Sequence, residues 1–499
     1  MRGRTLSVLH DLRPAFEGYY GISQETRLTF SLLRALDGIA LTGLIQHPRL
    51  PLARGLRTIE RAEGSPSPAE KYRILSQLVT STTPRSGPLA PLCDTAHALF
   101  DFARLQMRSL VGAKVPLFHF EGEEFGDFLW RTLFHHALPP EDFEHCRSTP
   151  YAALRSPWRA MHATALLPLG RKYPRIDTSS YDIVVAQTPW PGLVNRNTRL
   201  IVRYHDAVPV FLPHTCQRPQ LGRYFHIAAL KENARSAFFA CLSEHSRGQL
   251  VRLFPSLENR SFVVHNCISE AFFPDTVAPR TLATIVKSRI EPATEPPLGS
   301  AIEREAFYDS HLPDGFRYIL VVSTLEPRKN HLGLLAGWEA LRMRSGLPVK
   351  LVLVGAPGWQ NGRLLGAIRK WQARGELFHL SELAPSELRL LYNGADSVVC
   401  PSVSEGFDLP SVEALRCGSA VVASNIPVHR EMLGDAAIYF DPYSPQDACD
   451  ALLRIFEQDT IRQDLRGKAT AQGAKYDRPR ILEQWRRMFD QCCATPREP

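Results

Sequence analysis

Short apolar runs recur along the chain, separated by stretches whose apolar residues return at helical spacing. The runs predict strands at Thr5–His10, Asp182–Gln187, Leu200–Tyr204, Ala237–Leu242, Phe262–His265, Tyr318–Ser323, Lys350–Val354, Leu377–Leu380, Ser397–Cys400, Ala420–Ala423 and Ala437–Phe440. Several are apolar at consecutive positions, as expected of strands covered on both faces. Helical stretches between them point to parallel βαβ units.

The alternation breaks twice. Between Phe273 and Phe316 stand Pro274, Pro279, Pro292, Pro296, Pro297 and Pro313, with no sustained periodicity, and we read 274–316 as a linker. From Gln46 to Ser180 the pattern is also irregular. That region holds the patch Gly64-Ser65-Pro66-Ser67-Pro68 and two predicted helices, Ala69–Thr80 and Thr95–Leu110. It reads as a helical elaboration, at about 46–180, of a first domain spanning 1–273. A second domain follows at 317–478. In the tail, Ile481, Leu482, Trp485, Met488 and Phe489 form the stripe of a helix at 479–499 that must dock on something. The fold class expected is α/β: two doubly wound domains facing a cleft, with ligands at the carboxyl ends of the strands.

Composition narrows the partners. Hydrophobic content of 44% and charged content of 22% are globular values. The formal charge of +8 favours anionic partners, but no run of five Lys/Arg exists, which argues against nucleic acid. No stretch reaches the roughly 18 apolar residues of a membrane span, and the basic start carries too short an apolar run for a signal peptide. Ten cysteines without CxxC spacing suit a reducing cytoplasm. His135, His136, His145 and Cys146 lack a compact ligand spacing, so no metal site is expected there.

The densest chemistry runs from Pro401 to Leu415, just after a predicted strand: Ser404-Glu405-Gly406-Phe407-Asp408-Leu409-Pro410-Ser411-Val412-Glu413. Pro410 suits the first helical position and Gly418 the residue past the helix end. A Gly-containing turn entering a helix N-terminus presents free N–H groups and a positive dipole, which bind phosphate. Glu405 on the loop and Glu413, placed in the first helical turn, flank that position. As acceptors they suit sugar and ribose hydroxyls. The plain alternative is a capped helix with Glu413 satisfying the dipole. Arg328 and Lys329, in a loop after the strand Tyr318–Ser323, could stabilise charge building on a leaving diphosphate; a solvated pair with Glu326 is the alternative.

This segment resembles the E-x7-E signature of the retaining glycosyltransferases of family 4, which have the GT-B fold. The resemblance extends from Tyr318 to Pro442. It takes in Val321-Val322-Ser323-Thr324-Leu325-Glu326-Pro327-Arg328-Lys329-Asn330-His331, Leu351-Val352-Leu353-Val354-Gly355, Leu390-Leu391-Tyr392-Asn393-Gly394-Ala395-Asp396, Pro427, Glu431 and Gly434-Asp435-Ala436-Ala437. It implies that Glu405 binds hydroxyls of the transferred sugar and Glu413 the ribose. Backbone N–H groups of Gly406, Phe407, Asp408 and Leu409 would hold the diphosphate. Lys329 keeps the family's Lys place, while Thr324 stands where relatives have Arg, so Arg328 is the candidate second cation. Asp408 replaces a common second Gly, and its backbone rather than its carboxylate is expected to face the donor.

In the first domain, His205-Asp206 at the end of a strand resembles the family's His-Asp element, with His205 against the donor sugar. Local bonding to Asp206 or backbone is the alternative. Gly18-Tyr19-Tyr20-Gly21-Ile22 follows the first strand, and Gly21 could let backbone approach the ligand. Ser243 and Glu244 read as helix caps.

The resemblance implies retention of configuration, with no metal and no cofactor, the nucleotide-sugar being a substrate. The Thr324–Asn330 string is similar to bacterial polysaccharide mannosyltransferases, which makes GDP-mannose the first donor expected and a UDP-sugar the second. The acceptor expected is a glycan or lipid-linked glycan, reached from the cytoplasm with the basic chain peripheral to the membrane. Two other functions stay open: a nucleotide-sugar epimerase on the same fold, and a donor-binding subunit without turnover. A double-displacement glycosidase has no use for a phosphate site.

Overall fold

The computed structural model describes residues 5–18, 21–48, 90–120, 123–166, 173–217 and 219–496. The predicted helix at Ala69–Thr80, the Gly64–Pro68 patch, Tyr19 and Tyr20 lie outside them.

Two sheets form the framework. The first contains β1 (Leu6–Asp11), β2 (Ile39–Gln46), β3 (Phe118–Phe120), β4 (Tyr151–Leu154), β5 (Ile183–Ala186), β6 (Arg199–Tyr204), β7 (Phe238–Cys241) and β8 (Ser261–Val263). Its order is β3-β4-β2-β1-β5-β6-β7-β8, parallel except for the antiparallel edge pair β3–β4. The second contains β9 (Tyr318–Val322), β10 (Lys350–Val354), β11 (Leu377–Leu380), β12 (Ser397–Cys400), β13 (Val421–Ser424) and β14 (Ala437–Phe440), in the order β11-β10-β9-β12-β13-β14 and all parallel. The central strands are buried along their length because their consecutive apolar residues meet helices on both faces.

Every predicted strand is present within one or two residues. Three observed strands had no prediction. β2 carries Thr42, Gly43 and Gln46 among its apolar residues, which breaks the run. Those residues answer tertiary needs. A Cβ on Gly43 would sit 2.7 Å from the Tyr151 ring, and Gln46 donates to the Ser156 carbonyl at 2.8 Å. β3 and β4 fall within the region read as helical elaboration; it therefore adds an edge to the first sheet as well as the helix Ala90–Leu110.

Residues 274–316, read as a linker, carry two helices, Pro279–Ser288 and Ala301–His311. The prolines punctuate them rather than forbid them. Pro279 stands at the first helical position, where a missing N–H breaks no bond. Ser300 and Glu303 form a capping box on the second. Leu282, Ala283, Ile285, Val286 and Tyr308 join the core of the second sheet.

The tail helix Arg478–Ala494 packs on the first sheet, although the chain enters it from the second. Ile481, Trp485, Met488, Phe489 and Cys492 share a core with Val8, Ile183, Ile201 and Phe238. Arg203 of β6 lies over the Trp485 ring, 5.4 Å from its centroid. Its guanidinium donates to Glu25 at 2.7 Å and to Asn266 at 2.8 Å, all within the core. This buried pair ties β6 to the helix Ile22–Arg34, the two elements that carry His205 and Gln24.

Trp485→Ala should therefore destabilise the first sheet and not only the tail. Loss of a buried Trp is worth about 3–5 kcal/mol, read as a lower urea midpoint for the N-terminal half. A normal midpoint would show that the helix is merely laid on the surface.

Candidate functional site

Each sheet reverses its strand order at one point, between β1 and β5 in the first and between β9 and β12 in the second. Loops leaving the carboxyl ends of strands diverge there and leave a crevice. The loop after β9 carries Thr324, Arg328 and Lys329, and the loop after β12 carries Glu405. Residues 76 and 77 positions apart in the sequence thus become neighbours.

The second loop enters the helix Leu409–Arg416 through Asp408, whose φ of 68° and ψ of 73° are left-handed. Asp tolerates this better than most residues. Leu409 is the first helical residue and Pro410 the second, and Gly418 follows the helix end at φ 71°. Glu413 is the fifth residue rather than part of the first turn, so its carboxylate lies beneath the helix mouth. There it accepts from the Tyr392 hydroxyl at 3.0 Å and from Gln24, on the first-sheet side, at 3.4 Å.

A chain of alternating charge runs along the mouth. Arg328 donates to Glu326 at 2.8 Å and to Glu405 at 2.6 Å. Lys329 donates to the other Glu405 oxygen at 2.5 Å and lies 3.7 Å from Asp408. Asp408 faces His429 at 3.2 Å. Burial alone would raise the Glu405 carboxyl; Arg328 and Lys329 outweigh it and hold the group below its ordinary value. Burial also works against the Asp408 charge, but the His429 contact and the Lys329 charge hold that carboxyl well below the usual range. Burial, only partly offset by Arg328 and Lys329, leaves Glu326 raised. Both cations are thus fixed beside a helix N-terminus, which is the chemistry of an anion site. The buried Asp408 carboxylate lies against His429 and Lys329.

The remaining predicted residues sit as follows. The Phe407 side chain is buried, edge-on to Tyr476 at 5.5 Å and 6.2 Å from His265, so only its backbone can serve a ligand. Gly406 is pressed against the opposite wall: a Cβ there would lie 2.2 Å from the His205 carbonyl oxygen. Thr324 packs its methyl beside Gly358. Gly21 precedes the helix Ile22–Arg34 at φ 59°, ψ −127°, a glycine conformation, with open space where a Cβ would be. His205 places Nε2 2.8 Å from the Gln187 carbonyl, so Nε2 bears the hydrogen and Nδ1 is the bare acceptor. Burial lowers its pKa, which favours the neutral ring.

Sequence reasoning passed over the contacts that close the cleft. Ser243 caps its own helix and also donates to the Gly406 carbonyl at 2.8 Å. Glu431 accepts the N–H groups of Glu244 and His245, at 2.7 and 3.2 Å, across the gap. Trp359 donates to the Thr215 carbonyl at 2.7 Å. Glu431 and Ser243 both lie in recognised motifs, but a motif does not reveal that two of its members touch. Among the described residues, no group of three or more His, Cys, Asp or Glu could hold a metal ion. His135 bonds the Trp130 carbonyl instead.

Burial pushes the Glu413 carboxyl up to about 7, with the Tyr392 and Gln24 bonds opposing it. A folded-state value above that of the unfolded chain favours folding only in the protonated form. The contribution is present below about pH 4.5 and is lost as pH rises through about 7. Glu413→Gln keeps the shape without the charge. It should stabilise the protein by on the order of 2–3 kcal/mol near pH 8 and hardly at all near pH 5, measured by thermal unfolding. Equal effects at both pH values would contradict the burial argument.

Residues 303–472 match the family described as glycosyl transferases group 1. O-antigen chain mannosyltransferase B of Escherichia coli is 27% identical over 285 residues, 57% of this chain and 68% of that one. The serotype-specific mannosyltransferase WbdA of Escherichia coli is 33% identical over 304 residues, 60% of this chain; the chain spans about a third, 33%, of WbdA's length. In fold, the chain is similar to sucrose-phosphate synthase from Thermosynechococcus elongatus, with a TM-score of 0.56, 14% identity and coverage of 98% and 99% of the two chains. It is also similar to Anabaena HepE in complex with UDP and glucose, with a TM-score of 0.54, 14% identity and coverage of 97% and 99%. Two sheets meeting at their switch points give the chain a GT-B fold, and residues 303–472, which carry the charged mouth, are similar to the group 1 glycosyl transferases; together these findings make it a glycosyltransferase.

Proposed function

We propose that the chain is a retaining mannosyltransferase that moves mannose from GDP-mannose to a glycan or lipid-linked glycan. The observation that carries the reading is the convergence of Arg328 and Lys329 on Glu405 at the mouth of the helix Leu409–Arg416, opposite His205. The names of the relatives WbdA and mannosyltransferase B support mannose as the sugar. The donor diphosphate takes the N–H groups of residues 406–409 and draws Lys329 and Arg328 from Glu405. The freed carboxylate then accepts hydroxyls of the transferred sugar. Glu413 accepts the ribose hydroxyls, and His205 lies against the sugar. Thr324 and Gly21 border the same space.

The acceptor attacks the face from which the nucleotide departs, and a leaving phosphate oxygen takes its proton. The protein supplies position and fixed positive charge rather than a nucleophile. The first sheet and its helices form the acceptor side, the helices within 274–316 pack with the second sheet as the donor side, and the helix Arg478–Ala494 returns to the first. Among the described residues no helix is long and apolar enough to cross a membrane. We place the enzyme in the cytoplasm, peripheral to the membrane, where its net charge of +8 favours anionic lipid.

A thermal-shift panel of GDP, GDP-mannose, UDP and UDP-sugars tests the donor. GDP compounds should stabilise the protein, and a shift with UDP compounds alone would overturn the mannosyl reading. Lys329→Ala should lower turnover by about 100-fold and weaken nucleotide binding. Unchanged turnover would remove Lys329 from the mechanism.

A further inference from the structure

Asp408 is an acid at the place where the proposed donor carries its negative charge. Its backbone is left-handed, its side chain is 4% exposed, and its two oxygens have different neighbours. One lies 3.7 Å from Lys329 Nζ. The other lies 3.2 Å from Nε2 of His429, a residue with no exposed surface. Among the described residues, neither that oxygen nor Nε2 has a hydrogen-bond partner, so the 3.2 Å approach is a contact of charges rather than a hydrogen bond; the Cys400 thiol bonds the Asp408 carboxyl.

The opposite side of the ring decides the protonation. His429 Nδ1 lies 2.9 Å from the Ser424 carbonyl and 3.0 Å from its hydroxyl oxygen. The single hydrogen of that hydroxyl goes to the Ser402 carbonyl. No neighbour is left to donate to Nδ1, so Nδ1 carries a hydrogen itself. A neutral ring would then turn the bare lone pair of Nε2 towards a carboxylate oxygen in a dry interior. With Asp408 ionised, as the nearby Lys329 charge favours, a ring protonated on both nitrogens satisfies both contacts, whereas a neutral ring turns a lone pair on the carboxylate.

We infer that His429 is a positioning residue, held as an imidazolium, that neutralises Asp408 and so lets an acidic loop present its N–H groups to an anionic diphosphate. This rests on the donor reading above and adds a role for a residue on the helix Pro427–Leu433, behind the mouth. The pair also explains how Asp occupies a left-handed position beside phosphate. The carboxylate is drawn inward, and the N–H groups of Phe407 to Leu409 are left facing out. Removing the imidazolium alone would strand a buried negative charge beside the donor, which is worse than removing both charges.

Two measurements decide the matter. Imidazole 15N spectra of the full-length wild type near neutral pH, without ligand, should show both His429 nitrogens protonated; a bare Nε2 overturns the inference. Donor kinetics of His429→Gln should show KM for GDP-mannose raised by about tenfold with kcat within about twofold. Asp408→Asn in the same background should recover most of the loss. A double variant as impaired as the single one, or a single variant with normal KM, overturns the neutralising role. If the imidazolium is present but the wild type binds neither GDP nor UDP, the donor reading fails and takes the role of the pair with it. The spectrum is read without donor, so the two failures are distinguishable.

Discussion

A single carboxylate, Glu405, organises the second half of the molecule. It accepts from Arg328 and Lys329 at once, and those cations hold in turn Glu326 and Asp408. None of these charges would be stable alone in so buried a place, because desolvation exceeds what one partner returns. Together they alternate in sign and are mutually satisfied. The loops after β9 and β12 are therefore locked at one separation. A site held shut by its own ion pairs is also preorganised: on the proposed reading, an incoming diphosphate would exchange one anion for another at cations already in place.

That lock matters only because the opposite wall is brought against it. The Gly406 side of the loop touches the His205 backbone, with room for hydrogen alone. Ser243 and Glu431 each tie a helix terminus of one sheet to a loop or helix of the other. The Arg203–Glu25 pair and the tail helix hold β6 in register behind His205. Polar contacts of backbone with side chain, which can break and re-form, close the cleft, and Leu242 beside the first sheet shares an apolar cluster with Phe407 and Val428 of the second. Domain closure of this kind commits a substrate and excludes water.

Much of this was legible in the residues. Consecutive apolar runs marked the strands because a parallel sheet buried on both faces has no polar side to alternate with. The pairing of Glu405 with Glu413 was visible as spacing, and Arg328 with Lys329 as adjacent cations after a strand. Other features were hidden for definite reasons. β2 was obscured by Thr42, Gly43 and Gln46, whose presence is explained only by Tyr151 and Ser156 beside them. The helices within 274–316 were masked by prolines that stand at their boundaries and not in their interiors. Glu413 was placed one position too early because the helix begins at Leu409 rather than Pro410, after a left-handed Asp408 that spacing alone does not announce.

The sequence by itself determined the class of fold, the location of the glycine-containing turn that enters the helix Leu409–Arg416 and the types of group gathered there. These depend on local periodicity, turn chemistry and motif, which are properties of neighbouring residues. Tertiary structure alone decided which charge meets which. Arg328, rather than Thr324, became Lys329's companion on Glu405, Asp408 turned inward to His429, and Glu431 reached across to the helix beginning at Glu244. Those pairings join residues far apart in the chain. They exist because strand order reverses between β9 and β12 and the two sheets close on each other. Strand order and closure are settled by the packing of the whole chain, and no local stretch of residues encodes either.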